Sequence, residues 1–151
     1  MGNTIRYIHT NIIAKNWKSL SDFYINVFGC VPLYPERNLS GEWLDKITEI
    51  KDVKIRGVHL QLPGYENGPT LEIFQYDPEN LSDSDPQISR QGFAHIAFFT
   101  DDVDELIHKV IEYGGKITGE KIIEEIHGLG VLTVVYMRDP EGNFIELQNR
   151  K

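Results

Sequence analysis

The pattern of hydrophobic and polar positions along the chain occurs twice. Residues 5–13 alternate as a strand, and Trp17–Phe28 carries apolar side chains at three- and four-residue steps, which predicts an amphipathic helix. Residues 93–99 alternate again, and the apolar stripe within 103–111 predicts a second helix. Strand-like segments follow each helix. The sequence therefore predicts the unit βαβββ twice in tandem.

Local signals mark the ends of both helices. Asn16 and Asp102 stand where an N-cap residue is expected, and Glu105 follows Asp102 at the spacing of a capping box. Gly29 and the pair at 114–115 are placed to end the two helices, because glycine readily takes the left-handed conformation of a C-terminal cap.

The strands after the helices complete the two units. In the first unit, residues 31–34 predict a short strand that Pro35 ends, residues 36–44 a loop with one helical turn, and residues 55–62 and 70–76 a strand pair. In the second unit, alternation and turn residues predict strands at 116–118, 121–126, 131–137 and 144–148.

These elements indicate one domain that covers residues 1–151. Module one spans about 4–78, a linker rich in breaker residues spans about 79–91, and module two spans about 92–149. We expect an α+β fold in which two tandem βαβββ modules form a curved, barrel-like mixed sheet with the helices outside.

Composition narrows the function classes. The net charge of −8 disfavours nucleic acid, whose phosphates require clustered lysine and arginine. No apolar run is long enough to cross a bilayer, and no N-terminal leader pattern is visible, so we expect no membrane partner. Cys30 is the only cysteine, so no internal disulfide can form, and the cytoplasm is the default location.

Each predicted module carries one histidine on its first strand and one glutamate on its last. His9 and His95 occupy the first strands, whereas Glu72 and Glu146 each stand between two aliphatic residues. A lone strand histidine is more often structural than a ligand, and alternation alone explains a solvent-facing glutamate. The repetition of the pair in both modules favours a site for a divalent ion, namely Ni, Co, Mn, Zn or Fe.

Several segments resemble the vicinal oxygen chelate superfamily, which includes glyoxalases, bleomycin-resistance proteins and ring-cleaving dioxygenases. In the first module these segments are His9, residues 21–24 and 27–29 (SDFY and VFG), and Leu71-Glu72-Ile73. In the second module they are residues 92–98 (GFAHIAF) and 138–147 (RDPEGNFIEL). The resemblance covers nearly the whole chain and is nearest to members similar to lactoylglutathione lyase.

The resemblance implies a metal held by His9, Glu72, His95 and Glu146, and a substrate that chelates it through two oxygens. Full retention of four ligands favours lyase or isomerase chemistry, with proton transfer through a metal-chelated enediolate. Glu146 is the expected base, and Glu72 a ligand or second base. The alternatives are an Fe(II) dioxygenase of the extradiol type and a binding protein of the resistance type without catalysis.

The small-molecule substrate is not named by the sequence. Lyases that resemble this chain have arginine at the position of Ile13 and often asparagine at that of Tyr76, so both residues argue against a glutathione adduct. Short strands with exposed sheet edges make a homodimer the expected assembly. The resemblance implies that the four ligands come either from one chain or from two chains of a dimer. Six side chains are candidates for substrate binding: Arg37, Trp43, His59, Gln61, Tyr76 and His127.

Overall fold

A computed structural model of the protein describes residues 4–82 and 84–151. Residues 1–3 and 83, which belong to the expected domain and linker, lie outside the described residues. The chain divides into two compact units, residues 1–81 and 82–151, called unit 1 and unit 2 below. The expectation of a single domain stays a prediction.

The part of unit 1 that the structure describes contains four strands and two helices. They are β1 (His9–Ile13), α1 (Trp17–Phe28), β2 (Val31–Ser40), α2 (Glu42–Thr48), β3 (Lys54–Gln61) and β4 (Thr70–Asp77). The sheet order is β1-β4-β3-β2. β1 and β4 are parallel, while the other neighbours are antiparallel. This is a βαβββ unit with α2 inserted between β2 and β3.

The described residues of unit 2 repeat the frame without the inserted helix. It contains β5 (His95–Phe99), α3 (Val103–Glu112), β6 (Lys116–Ile126), β7 (Gly130–Arg138) and β8 (Phe144–Arg150). The order β5-β8-β7-β6, with β5 parallel to β8, matches the first sheet strand for strand. The α+β class and the two tandem βαβββ modules are therefore confirmed. Within the described part of each unit the strands form an open four-stranded sheet.

Both predicted helix starts are correct. The Asn16 side chain accepts a hydrogen bond from the Ser19 N–H at 3.2 Å, and the Asp102 carboxylate accepts from the Glu105 N–H at 2.9 Å. Each bond satisfies a donor that the first turn of a helix leaves without an intrahelical partner. Gly29, with φ of 71°, ends α1 as predicted.

The apolar stripe of α1 supplies much of the core of unit 1. Leu20, Phe23, Tyr24 and Val27 are buried, and the helix packs on β3 and β4. Each large apolar side chain buried in this way contributes about 1.5–3 kcal/mol relative to its exposed state. One face of the sheet is therefore fixed against α1, and the residues that alternate with this core point to the other face.

The predicted strand end at Pro35 is wrong, and so is the loop as far as Ser40, whereas the helical turn predicted within 36–44 agrees with the start of α2. β2 continues to Ser40, with a register shift between Leu33 and Arg37, and α2 begins at Glu42. β2 is an edge strand, so the missing N–H of proline at the irregularity removes no essential ladder hydrogen bond. Likewise, the two predicted strands at 116–118 and 121–126 form one strand, β6.

α2 packs over a small second core in unit 1. Leu44, Val53, Ile55 and Phe74 are its buried members. The Asp45 carboxylate accepts hydrogen bonds from the N–H groups of residues 52 and 53, at 2.9 and 3.1 Å, and so ties the helix to the start of β3. By strand alternation, Ile55 and Phe74 share the sheet face of His59 and Glu72. The insertion therefore covers one end of the face that carries Glu72.

Among the helices of residues 4–82 and 84–151, none is long and apolar enough to cross a membrane. The cytoplasmic location expected from the sequence stays a prediction.

Candidate metal centre

Strand register places a histidine beside a glutamate in unit 1. In the parallel pairing of β1 with β4, His9 is opposite Thr70 and Asn11 is opposite Glu72. His9 and Glu72 are thus diagonal neighbours on one face of the sheet, a separation that long side chains can bridge. The His9 Nε2 atom lies 3.1 Å from Glu72 Oε2.

Unit 2 repeats this diagonal. In the parallel pairing of β5 with β8, His95 is opposite Phe144 and Ala97 is opposite Glu146. The His95 Nε2 atom lies 3.0 Å from Glu146 Oε2. The same two atom types therefore approach each other in both units, at the same register and at nearly the same distance.

Each of these pairs fits two adjacent positions around a divalent ion. Two ligand atoms about 2.1 Å from one ion and at a right angle to each other lie about 3.0 Å apart. The observed separations of 3.1 and 3.0 Å agree with this value. In the described parts of the chain, no group of three or more His, Cys, Asp or Glu side chains is arranged to hold a metal ion. Each unit by itself places one imidazole nitrogen beside one carboxylate oxygen.

Glu72 has two further partners. Asn11 donates to Oε2 at 3.2 Å, and His59, which faces Glu72 in the antiparallel pairing of β3 with β4, has its Nε2 atom 2.9 Å from Oε1. Both carboxylate oxygens are thus engaged, and Glu72 is only 7% exposed. A buried carboxylate needs such donors, because its charge has lost most of its hydration.

The surroundings of His59 favour its neutral form. Burial lowers its pKa, the charge of Glu72 raises it, and the proximity of Arg37 and His9 lowers it, with a net shift below the ordinary value. The His59 Nδ1 atom lies 3.4 Å from Thr70 Oγ1. A neutral ring can therefore accept from the Thr70 hydroxyl and donate from Nε2 to Glu72.

Tyr136 takes the place of His59 in unit 2. It faces Glu146 in the pairing of β7 with β8, and its ring centroid is 5.2 Å from that of His95. Burial raises the pKa of Tyr136, and the charge of Glu146 and a hydrogen bond to it raise that pKa further. Sequence reasoning missed Tyr136 because its position depends on the strand register. It also passed over Asn11, although alternation with His9 indicated the shared face.

The remaining sequence candidates lie in different surroundings. Arg37 on β2 is opposite Gly57 on β3 and is partly buried, whereas Trp43 on α2 is 53% exposed. Gln61 donates to the Tyr65 carbonyl at 2.5 Å and so points into the following turn. Tyr76 packs against the small core under α2, and His127 is exposed between β6 and β7. Of the six, only His59 contacts a carboxylate of the two His–Glu pairs.

Comparison with known proteins identifies the family. The model described as Glyoxalase/Bleomycin resistance protein/Dioxygenase superfamily matches residues 6–147. The chain belongs to this superfamily. No curated protein matches it significantly. The superfamily contains many enzymes and also resistance proteins, so membership by itself names neither a reaction nor a substrate.

Solved structures of the superfamily share this fold. A glyoxalase family protein from Bacillus cereus is 18% identical, with a TM-score of 0.85 over 99% of this chain and 96% of the other. One from Enterococcus faecalis is 21% identical, with a TM-score of 0.59 over 97% of each chain. The fosfomycin resistance protein FosX from Listeria monocytogenes, solved with Mn(II) and sulfate, is 16% identical, with a TM-score of 0.53 over 100% of this chain and 95% of FosX. At these identities the likeness concerns the fold alone.

Proposed function

We propose that the protein is a metal-dependent lyase or isomerase of the glyoxalase type. The observation that carries the proposal is the repeated diagonal pair, His9 with Glu72 and His95 with Glu146, at 3.1 and 3.0 Å. A structural role for one such pair would be unremarkable. Two copies of the pair at the same register, in a protein of this superfamily, support a common role as metal ligands.

In this proposal His9, Glu72, His95 and Glu146 together hold one divalent ion, which is Ni, Co, Mn, Zn or Fe. Two neutral imidazoles and two carboxylates suit ions of this intermediate hardness. When bound, the ion supplies polarisation of two adjacent oxygens of a small substrate. The FosX structure was solved with Mn(II), which shows that a protein of similar fold binds such an ion.

Glu146 is the proposed base. It removes a proton from the hydroxyl-bearing carbon next to the substrate carbonyl and, after partial exchange with solvent, delivers a proton to the carbonyl carbon. The hydroxyl proton passes to the other oxygen, so one C–H and one O–H bond break, one of each forms, and the substrate is isomerised. Glu146 is less buried than Glu72, and its partners are His95 and Tyr136. Glu72, which Asn11 and His59 also hold, is better suited to a constant ligand role.

Arg37 is the proposed anchor for an anionic group of the substrate. It lies across from Gly57, two residues before His59 on the same face, and its charge lowers the pKa of His59. Among the described residues Arg37 has no carboxylate partner, unlike Arg138, which pairs with Asp85. A guanidinium without a counter-ion beside the ligands favours a carboxylate or another oxyanion. Trp43 and His127, which are exposed, are proposed as outer contacts of the substrate.

We also propose that the protein forms a homodimer. β1 and β2 are the edge strands of the first sheet, and β5 and β6 are those of the second. Exposed edge strands are natural places for chains to associate. Light scattering should then give twice the chain mass of 17.4 kDa, and a mass of one chain at micromolar concentration would contradict a stable dimer.

Elemental analysis of purified protein tests the metal centre. We expect near-stoichiometric Ni, Co, Mn or Zn in the wild type and its loss in His9→Ala. Iron together with oxygen uptake would instead favour the extradiol-type dioxygenase. No metal after titration with all five ions would leave a binding protein without metal chemistry.

Solvent exchange tests the reaction. A panel of small α-hydroxycarbonyl compounds is incubated in D₂O with metal-loaded protein, and proton NMR follows deuterium at the carbon next to the carbonyl. Glu146→Gln should lose at least 100-fold in exchange rate while it retains metal, since general-base catalysis typically contributes about 10²–10⁴-fold. Glu125→Gln, an exposed change on β6, is the matched control. Full exchange in Glu146→Gln would exclude it as the base.

Binding of two hydroxamates to Mn-loaded protein tests the role of Arg37. Both probes chelate through two oxygens, and only one carries a carboxylate tail. The tailed probe should bind about tenfold more tightly, as expected for one charge-assisted contact. Arg37→Gln should abolish this preference. Arg56→Gln, which lies on the opposite face of the sheet, should retain it. Equal affinities in the wild type would remove the anion subsite.

A further inference from the structure

In each unit, one residue on the neighbouring strand faces the glutamate of the His–Glu pair. This facing residue differs between the two units. His59 faces Glu72, and Tyr136 faces Glu146. We propose that His59 is a positioning residue that fixes Glu72 so that only Oε2 is offered to the metal. The inference rests on the proposed metal centre, but it assigns His59 to the support of a ligand and not to substrate binding.

The two oxygens of Glu72 have separate partners. Oε1 is 2.9 Å from His59 Nε2, whereas Oε2 is 3.1 Å from His9 Nε2 and 3.2 Å from Asn11 Nδ2. A donor on Oε1 holds the plane of the carboxylate and leaves Oε2 on the side of His9. This division favours one metal–oxygen bond from Glu72, through the oxygen that adjoins the histidine ligand.

His59 is itself held in place. Its Nδ1 atom is 3.4 Å from Thr70 Oγ1, which leaves Nε2 as the donor to Glu72 in the neutral ring. Its ring makes edge contacts with Phe74 at 5.6 Å and with His9 at 6.0 Å between centroids. Such packing limits rotation of the ring, so its hydrogen bond can orient the carboxylate.

The geometry does not favour His59 as a third metal ligand. The carboxylate of Glu72 stands between the two imidazoles, and each Nε2 atom contacts a different oxygen. His59 therefore acts through Glu72. A hydrogen-bond partner behind a metal ligand commonly changes metal affinity by about 10–100-fold when it is removed.

Mn²⁺ titration followed by electron paramagnetic resonance tests the role of His59. His59→Leu should bind Mn²⁺ about 10–100-fold more weakly than the wild type. His59→Gln, whose side-chain amide can donate to Oε1, should restore affinity to within about threefold. Wild-type affinity in His59→Leu would overturn the inference. Equal weakness of both variants would do the same, because a donor would then not be what matters.

Two controls separate this result from failure of the fold or of the metal centre. Circular dichroism and thermal unfolding show whether each variant is folded, and His9→Ala reports loss of a direct ligand. If His9→Ala loses Mn²⁺ and His59→Leu does not, the metal centre stands and the inference fails. If the wild type takes up neither Mn²⁺ nor any of Ni, Co, Zn and Fe, the proposed function fails.

Nitrogen-15 NMR of the metal-free protein tests the contact with Glu72 independently of metal. We expect the His59 proton on Nε2, and a change of that signal in Glu72→Gln. A proton on Nδ1 instead would overturn the inference even in a protein that binds no ion.

Discussion

Units 1 and 2 share a backbone frame but hold their carboxylates differently. Both place histidine and glutamate on one diagonal of a parallel strand pair, His9 with Glu72 and His95 with Glu146. Asn11 and His59 contact the Glu72 carboxylate through their side-chain nitrogen atoms, whereas Ala97 and Tyr136 occupy the corresponding positions in unit 2. The repeated backbone sets the position of each proposed ligand, whereas the neighbouring side chains determine how many contacts hold its carboxylate.

A second difference lies at one end of the Glu72 face. In unit 1, α2 covers a small core that includes Leu44 and Phe74. In unit 2, as far as its residues are described, β6 leads into β7 without such a helix. His59 packs against Phe74, so the inserted segment supports the residue that faces Glu72. Glu72 in unit 1 therefore has more side-chain partners than Glu146 in unit 2, and the following changes examine that contrast.

Removal of the Phe74 side chain should have the largest effect. Phe74 is 9% exposed and joins the small core to His59. Phe74→Ala should lower the free energy of unfolding by about 3–5 kcal/mol, measured by urea denaturation, because it leaves a cavity in a packed core. Phe99→Ala, at a residue that is 65% exposed on β5 of unit 2, should cost less than about 1 kcal/mol. Equal losses would break the contrast between the units.

Loss of either histidine should weaken metal binding strongly in both units. His9→Ala and His95→Ala should each reduce Mn²⁺ affinity by at least about 100-fold, because each removes a direct ligand. Isothermal titration calorimetry measures the change, and His108→Ala on the exposed side of α3 is the control. A large loss in His9→Ala with none in His95→Ala would show that unit 2 contributes nothing to the centre.

Exchange of the residues beside the glutamates should have a smaller effect. Asn11→Ala removes one hydrogen bond to Glu72, and a loss of about 1 kcal/mol corresponds to about fivefold weaker Mn²⁺ binding.

Ala97→Asn places the same amide opposite Glu146 and should slow solvent exchange by a few-fold, since a more firmly held carboxylate is a poorer mobile base. Faster exchange in Ala97→Asn would contradict the assigned roles.

The thiol of Cys30 should react very slowly with thiol reagents in the native protein. Cys30 is 2% exposed, and burial raises its pKa to about 12, so little reactive thiolate is present at pH 8. Labelling with a disulfide reagent should be at least about 100-fold slower than in denaturant. Since this is the only cysteine, its labelling reports opening of unit 1 alone, and Phe74→Ala should accelerate it. Rapid labelling of the wild type would show that unit 1 is not rigid.

Local sequence signals predicted α1 and α3 well. The caps at Asn16 and Asp102 and the stripe of α1 are where the pattern places them, because these features depend on residues within a few turns of each other. The segment after Pro35 was predicted wrongly, since only the edge position of β2 makes a proline within the strand acceptable. Local pattern cannot reveal which strand lies at an edge.

The sequence by itself determined the βαβββ repeat, both helix caps and the candidate ligands, because alternation, capping and repetition are properties of neighbouring residues. Only the tertiary structure decided which side chains surround each glutamate. His59 and Tyr136 face Glu72 and Glu146 through strand registers that join residues far apart in the chain. A shift of one residue in either register would turn these side chains to the opposite face, so packing of the whole sheet sets their contacts.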